Sequence, residues 1–268
     1  MASNLQLYSQ MADDTARRIT GSYQQWTAFL TTAARLYKYP YNEQLMIYAQ
    51  RPNATACAEY SVWNDKMGRY VRRGSRGIAL VDTSGYTPRM KYVFDVADTG
   101  GKENARSVNL WQFREEHEAS VSAMLEQNYH IPAKGGLAGQ LSQIAEQMAT
   151  DYWDDHSREI LGIVADSFLE EYDNDNIRMA FRSAASASIS YMLLSRCGLH
   201  PEDWLEHEDF LSVFDFNTPQ TAAALGTAAS EISEQVLRQI EVTVKRYERE
   251  HSLQMQGAER TESHGERT

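Results

Sequence analysis

Cysteine is scarce in this 268-residue sequence, and the two that occur do not suggest a metal site. Cys57 and Cys197 lie far apart, and neither belongs to a Cys-x-x-Cys pair or a Cys/His cluster. A structural zinc centre needs several such ligands at close spacing, so the sequence excludes that class. We expect two buried free thiols in a reducing compartment.

Long apolar runs are also missing. No window approaches the roughly 18 consecutive apolar residues of a transmembrane helix. The N-terminal segment lacks the basic stretch followed by an apolar one that is typical of a signal peptide. These absences predict a soluble, cytoplasmic protein without a membrane partner.

Catalytic motifs are the third absence. The His-Glu pairs at 117–118 and 207–208 lack the second histidine that a zinc protease places one helical turn away. The sequence also lacks a P-loop and a Gly-x-Ser-x-Gly elbow. We therefore predict a non-enzymatic protein with no catalytic residue, metal ligand or cofactor. A magnesium-dependent nuclease using the acidic clusters 151–159 and 170–176 is the weaker alternative.

Charge is present in quantity but unevenly distributed, and the whole chain carries a net charge of -11. Residues 1–110 contain 14 Lys and Arg against 9 Asp and Glu, a net charge of +5. Residues 111–268 contain 12 Lys and Arg against 28 Asp and Glu, a net charge of -16. Such an asymmetry suggests that the two halves contact different partners.

Apolar periodicity in the first half predicts helices followed by strands. Helical spacing covers 23–39 and, after Pro40, a shorter helix over 43–49 that Asn42 can cap. Short strand-like runs separated by turn residues follow, so 20–97 are predicted to form two helices and a small antiparallel sheet. The four runs are ACAEYSVW, RYVRR, IALVD and MKYVFDV.

Helical spacing replaces the strand pattern beyond residue 107. Gly198 is placed to end one helix, and Pro201 to open a short one. The longer predicted helices cover 114–129, 136–154, 157–172, 175–197 and 219–250. The predicted fold class is therefore an α+β N-terminal domain followed by an all-α helical domain. The predicted division is an α+β binding domain over 1–110, an acidic helical domain over 111–250 and a disordered tail over 251–268.

The segment DKMGRYVRRGSRGIAL, residues 65–80, concentrates positive charge in what looks like a β-hairpin turning at GSRG. Arginines on a sheet face and its turns can contact phosphates, and nearby aromatic rings can stack on unpaired bases. The plainer alternative is that the aromatics are core and the arginines a solvated strand edge. The residues predicted to bind nucleic acid are Lys38, Tyr39, Arg51, Trp63, Lys66, Arg69, Tyr70, Arg72, Arg73 and Arg76.

Residues 26–82 combine several short motifs. They comprise a helix ending in a Tyr-rich segment, an Asn-x-x-Leu-x-Ile helix, a Gln-x-Pro-x-Ala-Thr turn, a Trp, and Gly-Arg-x-Val-x-x-Gly-x-x-Gly-Ile. The motif positions are Tyr39, Asn42, Leu45, Ile47, Gln50, Pro52, Ala54, Thr55, Trp63, Gly68, Arg69, Val71, Gly74, Gly77 and Ile78. This pattern resembles the N-terminal domain of ArdC-type antirestriction proteins, and YVFDVADT at 92–99 resembles that family's next strand. The resemblance covers about residues 20–100.

The resemblance implies a single-stranded DNA-binding domain of the kind carried by plasmids, conjugative elements or phages. In that family a metalloprotease-like domain follows, but this sequence has no His-Glu-x-x-His motif, so peptidase activity is not transferred. The second half of the chain does not match the family pattern.

Two functional hypotheses follow from the sequence. The first is a single-stranded DNA-binding, antirestriction-like protein of a bacterial mobile element. The second is an inhibitor of a restriction or CRISPR nuclease that works by protein–protein contact through the acidic half at 111–250. Such a half could imitate a phosphate surface, and the two roles are compatible.

Overall fold

A computed structural model describes residues 4–82 and 85–265. Three helices come first: α1 (Asn4–Ile19), α2 (Tyr23–Arg35) and α3 (Tyr41–Gln50). The Ser22 side chain accepts a hydrogen bond from the backbone N–H of Gln25 and so caps α2.

The two helices predicted here are present as α2 and α3, with shifted ends. The prediction missed α1, whose buried face is small: only its C-terminal residues Thr15, Ala16 and Ile19 are buried. Asn42 does not cap α3, because the helix already begins at Tyr41 and Pro40 is the residue before it.

The strands that follow α3 form two small antiparallel sheets. The strands are β1 (Cys57–Glu59), β2 (Arg69–Val71), β3 (Ile78–Asp82), β4 (Arg89–Asp95) and β5 (Thr99–Gly101). One sheet has the order β1-β4-β3, and the other pairs β2 with β5. The prediction of helices followed by a small antiparallel sheet is confirmed at this level.

The hairpin predicted within the basic segment is wrong. β2 pairs with β5, whereas β3 pairs with β4. In the β2–β5 register Tyr70 lies opposite Gly100, where an added Cβ would come within 2.5 Å of the Tyr70 ring. Because position 100 is glycine, the Tyr70 ring can lie against β5 and β2 can pair with that strand. Gly100 is distant in sequence from the GSRG turn.

The second half is helical, as predicted. Its helices are α4 (Glu118–Tyr129), α5 (Gly136–Leu161), α6 (Asn174–Arg196) and α7 (Pro219–Gly265). Gly198 follows α6 with φ +71°, which confirms the predicted helix-ending glycine. None of the helices in the described ranges combines the length and hydropathy that crossing a membrane requires.

Some boundaries in this half differ from the prediction. The separate helix expected over 157–172 is absent from the described chain: α5 continues to Leu161, and only a 3-10 turn at Phe168–Glu171 follows. The short helix expected after Pro201 consists of 3-10 turns. α7 continues to Gly265, into the segment expected to be a disordered tail, and 266–268 lie outside the described residues.

One hydrophobic core spans both halves of the chain. Trp26 and Phe29 of α2 belong to the same buried cluster as the apolar faces of α5, α6 and α7. The Trp26 indole N–H donates to Ser188 Oγ in α6 at 3.0 Å. A smaller cluster under the sheet joins it to α3 through residues such as Ile47 and Leu80. Residue 110 therefore separates a basic half from an acidic half of the chain, but it does not separate two hydrophobic cores.

The contact between Tyr41 and Gly226 shows how closely the halves approach. Tyr41 opens α3 and Gly226 lies in α7, and a Cβ placed on Gly226 would be 2.1 Å from the Tyr41 ring. Real Cβ atoms do not come that close to a carbon, so the ring occupies the space that a side chain would need. α3 and α7 can pack at this distance because the position is glycine.

Replacing Gly226 by alanine should therefore destabilise the protein by about 1–2 kcal/mol through overpacking. Helix propensity alone would act in the opposite direction, favouring alanine by about 1 kcal/mol. The measurement is the free energy of unfolding in denaturant. The control is Gly85→Ala, where an added Cβ meets nothing closer than 3.9 Å. An unchanged or increased stability of Gly226→Ala would contradict this packing.

Candidate nucleic-acid interface

The basic segment, residues 65–80, includes strand β2 and exposes most of its charged side chains, whereas its last three residues, 78–80, are buried in β3. The segment begins within a one-turn π-helix at Val62–Lys66 and continues into β2. It then turns at Gly74, which has φ +89°. The side chains of Lys66, Arg73 and Arg76 are exposed and, within the described part of the chain, make no hydrogen bond or ion pair. Their charges are therefore available to an external anion.

Three other predicted arginines are engaged internally. Arg69 donates from Nε to Thr99 Oγ1 at 2.8 Å, and Arg72 donates from Nη1 to the carbonyl of Ala97 at 3.2 Å. Arg51 forms an ion pair with Asp98. The structure thus brings Arg51, Arg69 and Arg72 to one short segment, 97–99, which they hold in place. Arg72 remains exposed, whereas Arg51 and Arg69 are half-buried.

Tyr70 is the aromatic residue best placed for stacking. Its side chain is 47% exposed, and its ring lies against the backbone of Gly100. One side of the ring is therefore supported by β5 while the rest remains accessible. Arg69 and Arg72 flank it in sequence, so an exposed ring and exposed positive charge occur together.

Trp63 and Tyr39 do not fit the predicted stacking role. Trp63 is only 3% exposed, and its indole N–H donates to the carbonyl of Phe94 at 2.8 Å. Tyr39 is half-buried and donates its hydroxyl to the carbonyl of Cys57 at 2.7 Å. Burial raises the pKa of the Tyr39 hydroxyl. Trp63 is a core residue, and Tyr39 links α3 to β1.

Lys38 lies apart from the basic segment, in an ion pair with a residue of the acidic half. Its Nζ is 2.6 Å from Oε2 of Glu241 in α7. Lys245 binds the other oxygen of Glu241 at 2.5 Å, and the Tyr37 hydroxyl donates to Oε2 at 2.5 Å. Sequence reasoning missed Glu241 and Lys245, because a Glu/Lys pair at this helical spacing is ordinary on any surface helix.

The carboxylate of Glu241 stays ionised because of these partners. Burial would raise its pKa, but hydrogen bonds from Lys245, Lys38 and Tyr37 lower the pKa to about 2. Tyr37 also accepts a hydrogen bond from the Trp111 indole at 3.0 Å. The Glu241 cluster, made of Tyr37, Lys38, Glu241 and Lys245, therefore ties the end of α2 to α7.

Arg196 at the end of α6 extends this arrangement. Its guanidinium carbon lies 3.7 Å from the centre of the Trp111 ring, and it donates from Nη2 to the Trp111 carbonyl at 2.9 Å. Desolvation by burial lowers its pKa. Arg196 was not predicted, because nothing near it in the sequence suggests a site.

Two free thiols and an acidic cluster lie outside the basic segment and the Glu241 cluster. Burial raises the pKa values of Cys57 and Cys197, both free thiols, to about 12, so neither is a thiolate at neutral pH. In the acidic cluster 170–176, Asp173 caps α6 by accepting from the N–H of Asn176. Among the described residues, no group of three or more His, Cys, Asp or Glu could hold a metal ion.

Comparisons of the chain with protein-family models, with curated proteins and with solved structures found no match. The resemblance of residues 26–82 to ArdC-type proteins therefore rests on the motif positions alone. The function has to be argued from the geometry above.

Replacing Glu241 by glutamine should lower the free energy of unfolding by about 1–3 kcal/mol, the range for buried hydrogen bonds to a charged group. Since its pKa is lowered in the folded state, the carboxylate stabilises the protein fully above the ordinary value of 4.5. That contribution disappears as the pH falls from there through about 2.

Denaturant unfolding from neutral pH to pH 2 measures this effect. The stability gap between wild type and Glu241→Gln should be constant above about pH 5 and close towards pH 2. Glu234→Gln is the matched control, because Glu234 pairs with Arg238 on the same helix but on its surface. It should cost no more than about 0.5 kcal/mol. Equal losses in the two variants would contradict the role given to Glu241.

Proposed function

We propose that this chain binds single-stranded DNA through the basic segment and serves as an antirestriction-like protein of a bacterial mobile element. The supporting observation is the exposed Tyr70 ring among the exposed cations Lys66, Arg72, Arg73 and Arg76. The proposed role is binding in the cytoplasm, without catalysis or a cofactor.

Single strands fit this surface better than duplexes. A base can stack on Tyr70 only when it is unpaired, and such a contact contributes about 1–3 kcal/mol. The cations around the ring would neutralise the phosphates on either side of that base. A duplex would offer the phosphates but not the face of a base.

The negative charge of the second half does not prevent such binding. At physiological ionic strength the Debye length is about 8 Å, so exposed acidic residues of the second half that lie farther than this from the basic segment act weakly on it. Local charge then decides where a strand lies. Because local cations carry the affinity, we expect it to fall steeply as salt is raised.

The double variant Arg73→Ala/Arg76→Ala tests the proposal. If both side chains contact phosphates, the slope of log affinity against log salt should become shallower by about 1.4, at roughly 0.7 per contact. Fluorescence anisotropy with single- and double-stranded oligonucleotides over a salt series measures it. Lys134→Ala/Arg178→Ala removes the same charge from the exposed surface of the helical half and should leave the slope unchanged. Unchanged binding by Arg73→Ala/Arg76→Ala would refute the assignment.

A second candidate function is protein–protein contact by the acidic half, such as inhibition of a restriction or CRISPR nuclease. The observation that favours it is a set of large exposed apolar side chains beside the acidic clusters. Phe168 and Tyr172 are 62% and 41% exposed next to 170–176, and Trp204 is 48% exposed within 202–209. Aromatic residues of this kind are enriched at protein interfaces.

The double variant Phe168→Ser/Trp204→Ser separates the two functions. If the acidic half inhibits a nuclease by contact, this variant should lose at least about tenfold in inhibition of a purified restriction or CRISPR nuclease while keeping its affinity for oligonucleotides. The full chain is required, because residues 111–268 alone would expose the core that α2 covers. Inhibition that follows Arg73→Ala/Arg76→Ala instead would assign the activity to DNA binding.

A further inference from the structure

A cavity of about 220 Å³ lies where the end of α2 meets β1, α6 and α7. Its walls come from segments that are distant in sequence: 35–39, 55–57, 109–111, one residue of α6 and two of α7. Arg196, Glu241 and Lys245 form the side contributed by the C-terminal helices. The cavity therefore exists only because the two halves share a core.

Positive charge dominates the lining of this cavity. Arg35, Lys38, Arg196 and Lys245 line it together with a single carboxylate, that of Glu241. Two of the cations, Lys38 and Lys245, are roughly half exposed while they bind Glu241, so each can present a further N–H to a ligand. The acidic half thus supplies two of the four cations.

The four cations differ in what they offer. The guanidinium of Arg35 donates to the carbonyls of Pro52 and Ala54. Arg35 therefore contributes its positive charge to the cavity more than hydrogen bonds to a ligand. Among the described residues, Arg196 makes one hydrogen bond, to the Trp111 carbonyl, whereas a guanidinium has five N–H groups. The contact with the Trp111 ring and the hydrogen bond to the Trp111 carbonyl hold that guanidinium in place. A fixed arginine fork of this kind matches the geometry of a phosphate.

Hydrogen bonds of residues next to β1 and β4 connect the cavity to the basic segment. Ala56 lines the cavity, and its carbonyl accepts a hydrogen bond from the N–H of Val96 at 2.8 Å. The next residue, Ala97, accepts the hydrogen bond from Arg72. Two hydrogen bonds and the backbone of Val96 and Ala97 therefore link the cavity wall to Arg72 of the basic segment.

We propose that this cavity binds the phosphate monoester of a nucleotide, carried either by the end of a DNA strand or by a free mononucleotide. The strand-end form rests on the proposed function. A monoester carries about -1.5 to -2 charges at neutral pH, whereas an internal phosphodiester carries about -1. An excess of three cations over carboxylates therefore favours an end over the middle of a strand.

The size of the cavity agrees with this choice of ligand. Sites for complete drug-sized ligands measure about 300–1,000 Å³, and this one is smaller. It suits a phosphate and part of the attached sugar or ring rather than a dinucleotide cofactor. Lys245 in α7 and Arg196 in α6 are the residues that would bind the phosphate.

The experiment compares oligothymidylates that differ only in a terminal phosphate. Strands with a phosphate at the 5′ or the 3′ end, labelled at the other end, are measured by anisotropy against the unphosphorylated strand, using the full chain. We expect roughly tenfold tighter binding of at least one phosphorylated strand, the size of a charge-assisted contact. Lys245→Gln and Arg196→Gln should bring that ratio close to one.

Controls separate this proposal from the proposed function. Lys134→Gln, which removes a lysine outside the cavity, should preserve the ratio, and thermal unfolding shows whether each variant is folded. Equal affinity for all strands would overturn the cavity proposal and leave single-stranded binding intact. A preference that survives Lys245→Gln and Arg196→Gln but is lost in Arg73→Ala/Arg76→Ala would overturn it too, because the phosphate would then lie on the basic segment.

Free deoxythymidine monophosphate distinguishes the remaining cases. If no strand binds but the mononucleotide raises the unfolding temperature of wild type and not of Lys245→Gln, the cavity is a nucleotide site and the proposed function fails. If neither strands nor the mononucleotide bind, both proposals fail.

Discussion

The burial of the aromatic face of α2 against α6 is the interaction on which the rest of the structure depends. Trp26 and Phe29 contribute large apolar surfaces to a core that neither half could close alone. Satisfying the buried Trp26 indole with Ser188 avoids a penalty of about 1–3 kcal/mol for an unpaired donor. The sheet and the basic segment are attached to α3, so this packing also fixes where they lie relative to α7.

In the folded chain, charges near Glu241 do not follow the division into a basic and an acidic half that the sequence shows. Glu241 belongs to the acidic half, but it lies between Lys38 of the first half and Lys245 of its own helix. The exposed acidic residues at 170–176 and 202–209 stay on the helical half. The part of the junction around Glu241 is therefore cationic, although it is built partly from the more negative half.

Local sequence patterns were sufficient to predict the features that local interactions determine. The apolar spacing of α2, the strand character of β3 and β4, and the helix-ending role of Gly198 all follow from neighbouring residues. The partner of β2 did not, because a three-residue strand has too little pattern of its own and its place depends on the contact between Tyr70 and Gly100. α1 was missed since its buried face is small.

The candidate site was predicted only where its residues are close in sequence. Lys66, Arg73 and Arg76 were identified because they cluster along the chain, and they are exposed as expected. Trp63 could not be assigned from composition, since a tryptophan among basic residues serves equally well in a core or on a surface. Lys245 and Arg196 reach the cavity only through tertiary packing.

The shared core also has a consequence for gene rearrangement. Recombination near residue 110 would transfer the motifs of residues 26–82 without the helices that cover Trp26 and Phe29. Any other protein that carries a segment like 26–82 must therefore provide its own apolar partner for that face.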